Sequence, residues 1–382
     1  MSARGVRVAV VLPVCALALV LAFMVAPSPG TAGGEVPVDT NGFRLAVPPY
    51  TFVFPRDHAS HPSFQTEWWY YTGHLNSKDR SCGYELTFFR VGLPRLRPTS
   101  PSAWAARDLI FMHLALTDEK GNRFHHFESA RRAAMSLAGA DSTRYHVWID
   151  DAFAGLAQDG RTHRLRGSAP DFAVELSLTS TKPPAIHGAK GVSQKSAGVG
   201  HASHYYSLTR LATSGRVVLG GDTLSVQGDS WMDHEFASNT MGSTHSGWDW
   251  FSVQLGDGRE LMLYQLRLKN GQIEPLSHGT LVHADGSTRA LSRAEFTIAS
   301  RTQWTSPHTG AVYPSGWTLR VPSEQLELEL EPTVKDQELV AASMGGVVYW
   351  EGSVRVRAMS HGVRVEGAGY VELTGYTGRA PF

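Results

Sequence analysis

The sequence holds only two cysteines in 382 residues, Cys15 and Cys82. Cys15 sits in an apolar N-terminal run with no lipid-attachment box around it. If that run is removed, Cys82 stands alone, no internal disulfide is available, and the fold must rest on packing. Cys82 lies beside a turn expected over 76–83 and reads as structural rather than reactive. Charge of one sign is also lacking: 35 Lys and Arg balance 35 Asp and Glu, and charged residues are 18% of the chain. A nucleic-acid binder needs a basic surplus, so no nucleic-acid partner is expected. Phosphate-loop and dinucleotide fingerprints are absent. Gly228-x-Ser230 lacks the closing glycine of a nucleophile elbow, which leaves serine hydrolase chemistry unsupported. Histidines cluster as His58-x-x-His61, His125-His126, His201-x-x-His204 and Asp233-His234-Glu235. None has the spacing of a zinc motif, so neither metal nor cofactor is expected.

Helical periodicity is nearly missing as well, and the composition says what replaces it. Hydrophobic residues are 42%, with Trp 10, Tyr 12, Phe 16, Gly 38 and Pro 20. Many aromatics with many turn formers is a β-rich composition. At roughly 150 residues per domain the length suits two or three domains, or two larger β domains. One short stretch, 128–137, reads as helix-like.

The N-terminus has its own layout. Arg4 and Arg7 precede the apolar run 8–26, split by Pro13, and a small polar segment ends at Ala32. This is the order of a secretory signal. Residues 1–32 are expected to be a signal peptide that directs the chain to the periplasm or cell envelope. An uncleaved anchor is the alternative, since about 20 apolar residues can span a bilayer.

Short alternating segments dominate the rest, separated by Gly, Asp, Asn and Ser. They also repeat. EWWYYTGHL (67–75) and GYELTFFRV (83–91) recur as GWDWFSVQL (247–255) and LMLYQLRL (261–268). The ends of the halves match too: VQGDSWMDHEF (226–236) against VEGAGYVELTGY (365–376) sets Trp231 against Tyr370 and Asp233 against Glu372. Two domains follow, 45–236 and 245–378, with a boundary over 237–246. A closed barrel of about eight strands encloses side chains or one small ligand. The expectation is an all-β chain of two tandem lipocalin-like antiparallel barrels.

Polar groups interrupt the aromatic strands. With period two, Glu67, Trp69 and Tyr71 share one face, His74 lies on the other, and Trp231, Asp233 and Glu235 share a face of their strand. His204 and Tyr206 share a face of theirs. Ionisable groups among aromatics are costly to bury unless paired. Either they are satisfied plugs, with Glu67, His74 and Glu235 neutralising Arg90 and Arg210, or Glu67, Trp69, Tyr71, His74 and Glu235 line a ligand pocket. The Gly/Ser-rich segment 188–203, with Lys190 and Lys195, reads as a flexible connector or as a lid whose lysine meets an anionic headgroup.

The strings HPSFQTEWWYYTGHL, HASHYYSLTRL, GDSWMDHEF, GWDWFSVQLGDGRELMLYQLR and GYVELTGY together resemble the carotenoid 1,2-hydratase-like family, which includes AttH-like secreted proteins. The resemblance runs from about Tyr50 to Tyr376. It implies two lipocalin-like domains and a catalytic set in which a His-x-aromatic pair falls on His204 and Tyr206, and an aromatic-x-Asp pair on Trp231 and Asp233. Tyr206 stands where those enzymes carry Trp, and Trp231 where they carry Tyr.

Two functions follow as expectations. The first is an exported protein that binds an extended apolar ligand, a lipid or isoprenoid, in envelope lipid handling, with membrane-associated transport machinery as its partner. The alternative is a hydro-lyase that adds water to an isoprenoid double bond. In that reading Asp233 is the general acid, kept protonated by burial. Trp231 and Tyr206 shelter the cation, and His204 orients water.

Overall fold

The computed structural model describes residues 36–95, 102, 105–238, 241–342 and 346–378. The segment 1–32, on which the export expectation rests, lies outside the described residues. Residues Val36–Phe382 form one compact unit. The chain is all-β, built from two curled antiparallel sheets of the lipocalin-like type.

The first sheet has 13 strands and the second has 10. In each, the first strand pairs with the last. Thr66–Asn76 pairs with Asp222–Ala237, and His245–Leu255 pairs with Val363–Thr374. That closure places the most aromatic strands of each half at the middle of its sheet. The two middles face one another.

Both faces of these strands are therefore covered, which explains the aromatics on both. On Thr66–Asn76, Trp69, Tyr71 and Leu75 join a core inside the first sheet with Leu86, Phe88 and Leu114. One residue along, Tyr70 turns outward to a separate cluster with Tyr205, Trp231, Trp250, Tyr264 and Tyr370. The second sheet closes around its own core, which includes Phe251, Trp317 and Trp350. Fully burying each large side chain contributes roughly 1.5–3 kcal/mol, so a one-residue register slip would be costly throughout.

Ionic contacts tie the halves. Glu260 of the second sheet accepts from Lys182 Nζ at 2.7 Å and Arg210 Nε at 2.6 Å, both from the first half. Arg210 reaches it from a register irregularity between Leu208 and Leu211, where a bulge re-aims the side chain.

Three sequence expectations change. The helix-like stretch 128–137 begins inside the strand Arg123–Arg132, which pairs with Asp108–Asp118 along its length. Pairing to an existing sheet outweighs a weak local helix pattern. The segment 188–203 is not a free connector. It contains the strand Ser193–Gln194, and Val192, Ser193, Lys195 and Ser196 are buried. The turn expected over 76–83 is shorter, because the strand Ser81–Gly92 takes in Cys82; burial pushes that thiol up to about 12, in keeping with a structural role.

Candidate functional site between the two sheets

An aromatic-walled cavity of about 470 Å³ lies where the two sheets face each other. Pockets of roughly 300–1,000 Å³ hold drug-sized ligands. Its aromatic walls are Trp68, Tyr70 and Tyr205 from the first half and Trp248, Trp250 and Tyr264 from the second. Its charged groups are the acids Asp233, Glu235, Glu351 and Glu372 with Lys195, and the Glu67–Arg90 pair at its border.

The hollow is thus not where the sequence places it. Barrel geometry predicts a ligand inside a barrel, but the first barrel is filled by its own side chains, Trp69, Tyr71, Tyr84 and Phe88 each being fully buried. The space lies between the barrels, because the outward faces of the middle strands carry aromatics that meet without closing.

Asp233 is held by three side-chain donors. Its Oδ2 accepts from Tyr205 Oη at 2.6 Å. Its Oδ1 accepts from Trp231 Nε1 at 2.6 Å and from the Ser207 hydroxyl. Trp250 Nε1 in turn donates to Tyr205 Oη at 3.0 Å. Ser207 Oγ also meets His187 Nε2 at 2.6 Å, and His187 Nδ1 meets Thr280 at 2.8 Å. The three donors favour the ionised form, but burial outweighs them and lifts Asp233 to about 7. An ordinary aspartate near 3.9 would be ionised at neutral pH; this one is divided between its two forms.

Glu372 faces the same cavity from the second sheet. Trp248 Nε1 donates to its Oε2 at 2.9 Å. Burial lifts it to about 7, with Asp233 and Glu235 adding repulsion. Glu351 lies opposite it in register and accepts from Tyr70 Oη at 2.7 Å. The other oxygen of Glu351 is buried without a partner, as is one oxygen of Glu85. Burial raises Glu351 well above the usual carboxylate range and Glu85 to about 8. Lys195 pairs with Glu235 at 3.1 Å and lies over the rings of Tyr205 and Tyr264. Burial pulls the lysine down, but Glu235 outweighs it and the ammonium is held above its ordinary value.

The expected catalytic set is split by strand parity. Trp231 and Asp233 are together on the cavity side. His204 and Tyr206 point the other way. His204 Nδ1 meets Gly191 O at 2.9 Å, its ring packs on Tyr50, and burial lowers it to about 4. Tyr206 Oη meets His58 Nδ1 at 2.6 Å inside the first sheet. Their neighbours on the strand, Tyr205 and Ser207, are the ones that reach Asp233.

Among the expected pocket residues, the Glu235 side chain pairs with the cavity lysine. Glu67 borders the cavity, but its carboxylate is turned into a plug at the end of the first barrel. There it accepts from Arg90 Nε at 3.0 Å and Ser60 at 2.8 Å, and meets His61 and His234 at 2.9 Å each. Burial opposes its ionisation, but Arg90 and the histidines hold it well below the ordinary range. Trp69 and Tyr71 are core residues, not cavity walls. His74 Nε2 meets Gly369 O at 3.0 Å across the seam.

Donor atoms of His61, Glu67 and His234 lie within 4.8 Å of one another, the one such group among the described residues. Arg90 occupies the same carboxylate, so the charge a cation would need is already neutralised. Tyr205, Trp248, Trp250, Glu351 and Glu372 were missed as cavity residues. The repeat carried the signal for Glu372, which aligns with Asp233.

The profile of the AttH-like family matches residues 45–376. The chain belongs to the AttH-like family. It is similar to a solved Nitrosomonas europaea protein assigned as an AttH, with 34% identity over 87% of this chain and 99% of that one, at a TM-score of 0.79. Kievitone hydratase from Nectria haematococca shares the fold, with 14% identity, a TM-score of 0.66, and coverage of 89% of this chain and 96% of that one. The dehydratase AsqC of Emericella nidulans is 20% identical over 267 residues, 68% of this chain and 75% of that protein.

Proposed function

We propose that this AttH-like protein is a hydro-lyase that adds water to, or removes it from, an alkene-bearing apolar molecule held between the two sheets. One observation carries the reading: a carboxyl that titrates near neutrality, Asp233, lies in an aromatic-walled cavity of ligand size. The hydratase and dehydratase activities named for the two fungal relatives support the same class.

The chemistry follows from the residues. A protonated Asp233 donates its proton to the less substituted alkene carbon, and a tertiary cation forms on the neighbour. The faces of Trp68, Trp248 and Trp250 stabilise positive charge, an attraction of roughly 0.5–2 kcal/mol per ring. Water then adds to the cation. Ser207 and Tyr205 hold the carboxylate left behind, so the charge change is met by dipoles already in place. Binding of an apolar ligand is the first step of this reaction. The layout of residues 1–32 supports placing it outside the cytoplasm.

The test uses 2-prenylphenol and geranylacetone in H₂¹⁸O, read by mass spectrometry. The reading expects a hydrated product carrying ¹⁸O from the native protein and none from Asp233→Asn. A probe that binds but is recovered unchanged would favour a pure carrier. Equal product from Asp233→Asn would remove Asp233 from the chemistry.

A further inference from the structure

Asp233 and Glu372 are equivalent groups of the two halves. Asp233 lies opposite Tyr70 on the first strand of its sheet, and Glu372 lies opposite Trp250 on the first strand of the other. Each accepts from an indole, Asp233 from Trp231 packed behind the cavity wall and Glu372 from Trp248 on it. Both line one cavity from opposite sheets. They differ in how they are held. Asp233 is fixed by Tyr205, Ser207 and Trp231, whereas the second oxygen of Glu372 has no hydrogen-bond partner among the described residues. Glu372 is half-buried, and the surface it shows is the cavity wall.

Resting on the hydro-lyase reading, we infer that Glu372 is a second catalytic carboxyl, the base that takes the proton of the attacking water while Asp233 protonates the alkene. Protons balance. Asp233 loses one to carbon, the water oxygen bonds the cation, and the O–H proton released passes to the carboxylate of Glu372. Dehydration runs the same path backwards: Glu372 protonates the departing hydroxyl and Asp233 takes the proton from carbon. The competent state carries one proton on the pair.

Other titratable groups surround the pair, among them Glu67 and Arg90, which border the cavity and neutralise each other. Glu85, from the second strand of the first sheet, stays largely protonated to about 8. Burial, with Glu372 and Glu85 beside it, pushes Glu351 on the neighbouring strand well above the usual carboxylate range, which favours its uncharged form. Glu235 is neutralised by Lys195. Tyr70, Tyr205, Tyr264 and Tyr349 stay protonated, because burial raises each of them. The free oxygen of Glu372 is thus the acceptor best placed to receive a proton.

The experiment runs 2-prenylphenol in D₂O and in H₂¹⁸O with native protein, Asp233→Asn, Glu372→Gln and Glu372→Asp. Glu372→Gln is expected to wash deuterium into recovered alkene, through protonation and its reversal, while hydrated product falls roughly 10²–10⁴-fold. Asp233→Asn is expected to give neither deuterium exchange nor hydrated product. Glu372→Asp is expected to restore part of the product and the pH arm lost in the glutamine variant. Parallel losses of exchange and hydration in Glu372→Gln, or an unchanged pH profile, would overturn the role. Infrared titration of the carboxyls reads the pair without turnover. In Glu372→Gln the Asp233 transition should move to lower pH, and an unmoved transition would deny any coupling. A native protein inert to the probe while the infrared coupling is present would remove the hydro-lyase reading and Glu372's catalytic role, but leave the pair.

Discussion

Tyr205 and Tyr206 are neighbours on one strand with opposite duties. Tyr205 donates to Asp233 in the cavity at 2.6 Å, and Tyr206 meets His58 in the core of the first sheet at 2.6 Å. The family resemblance points to Tyr206. The geometry gives the cavity to Tyr205.

The pair yields a first prediction. Tyr205→Phe should lower hydration of 2-prenylphenol, because the Asp233 carboxylate loses one of its donors. Tyr206→Phe should leave kcat unchanged and cost about 1–3 kcal/mol of stability, since a buried histidine loses its partner. Denaturant titration and product assay on both variants check this. The reverse pattern would return Tyr206 to the chemistry.

Glu260 supplies a second. It is fully buried and holds Lys182 and Arg210 across the seam. Removing one partner of a buried ion pair leaves uncompensated charge, at a cost of roughly 3–5 kcal/mol. Glu260→Ala should lower the urea midpoint accordingly. A midpoint unchanged from native would mean that the contact adds nothing to the seam.

The buried acids set a pH dependence. Glu85 titrates at about 8 and Asp233 and Glu372 at about 7, all raised by burial, as is Glu351. Each is raised above its unfolded value, so its stabilisation is full below about 4 and is lost as pH rises through the folded value. Buried histidines oppose this at lower pH. Burial lowers His113 to about 3 and His163 to about 4, so below about 6.5 the unfolded chain takes up protons that the fold refuses. Above that, these two histidines lose their effect, and His61, which burial would lower but Asp57 and Glu67 hold above its ordinary value, adds to the decline set by the acids. The melting temperature should therefore fall between pH 6.5 and 8.5, and Glu351→Gln should flatten the decline. A rise over that interval, in calorimetry, would contradict the burial of these groups.

The strands, the two halves and the shared face of Trp231, Asp233 and Glu235 were legible in the sequence, because period two and a repeat are local patterns. Which face looks into a barrel was not. Trp69 and Tyr70 are equally aromatic, and both faces of their strand are covered, so alternation carries no inside-outside contrast. The cavity depends on how two sheets meet, which no single strand encodes. The Arg123–Arg132 strand was obscured for a related reason: it is partly exposed throughout, and only its partner Asp108–Asp118 defines it.

The most direct measurement is a crystal structure of the protein soaked with 2-prenylphenol. The account predicts the probe between the sheets, its alkene within reach of Asp233 and Glu372 and its ring against Trp68 or Trp248. Density inside either barrel, with hydration activity intact, would contradict it.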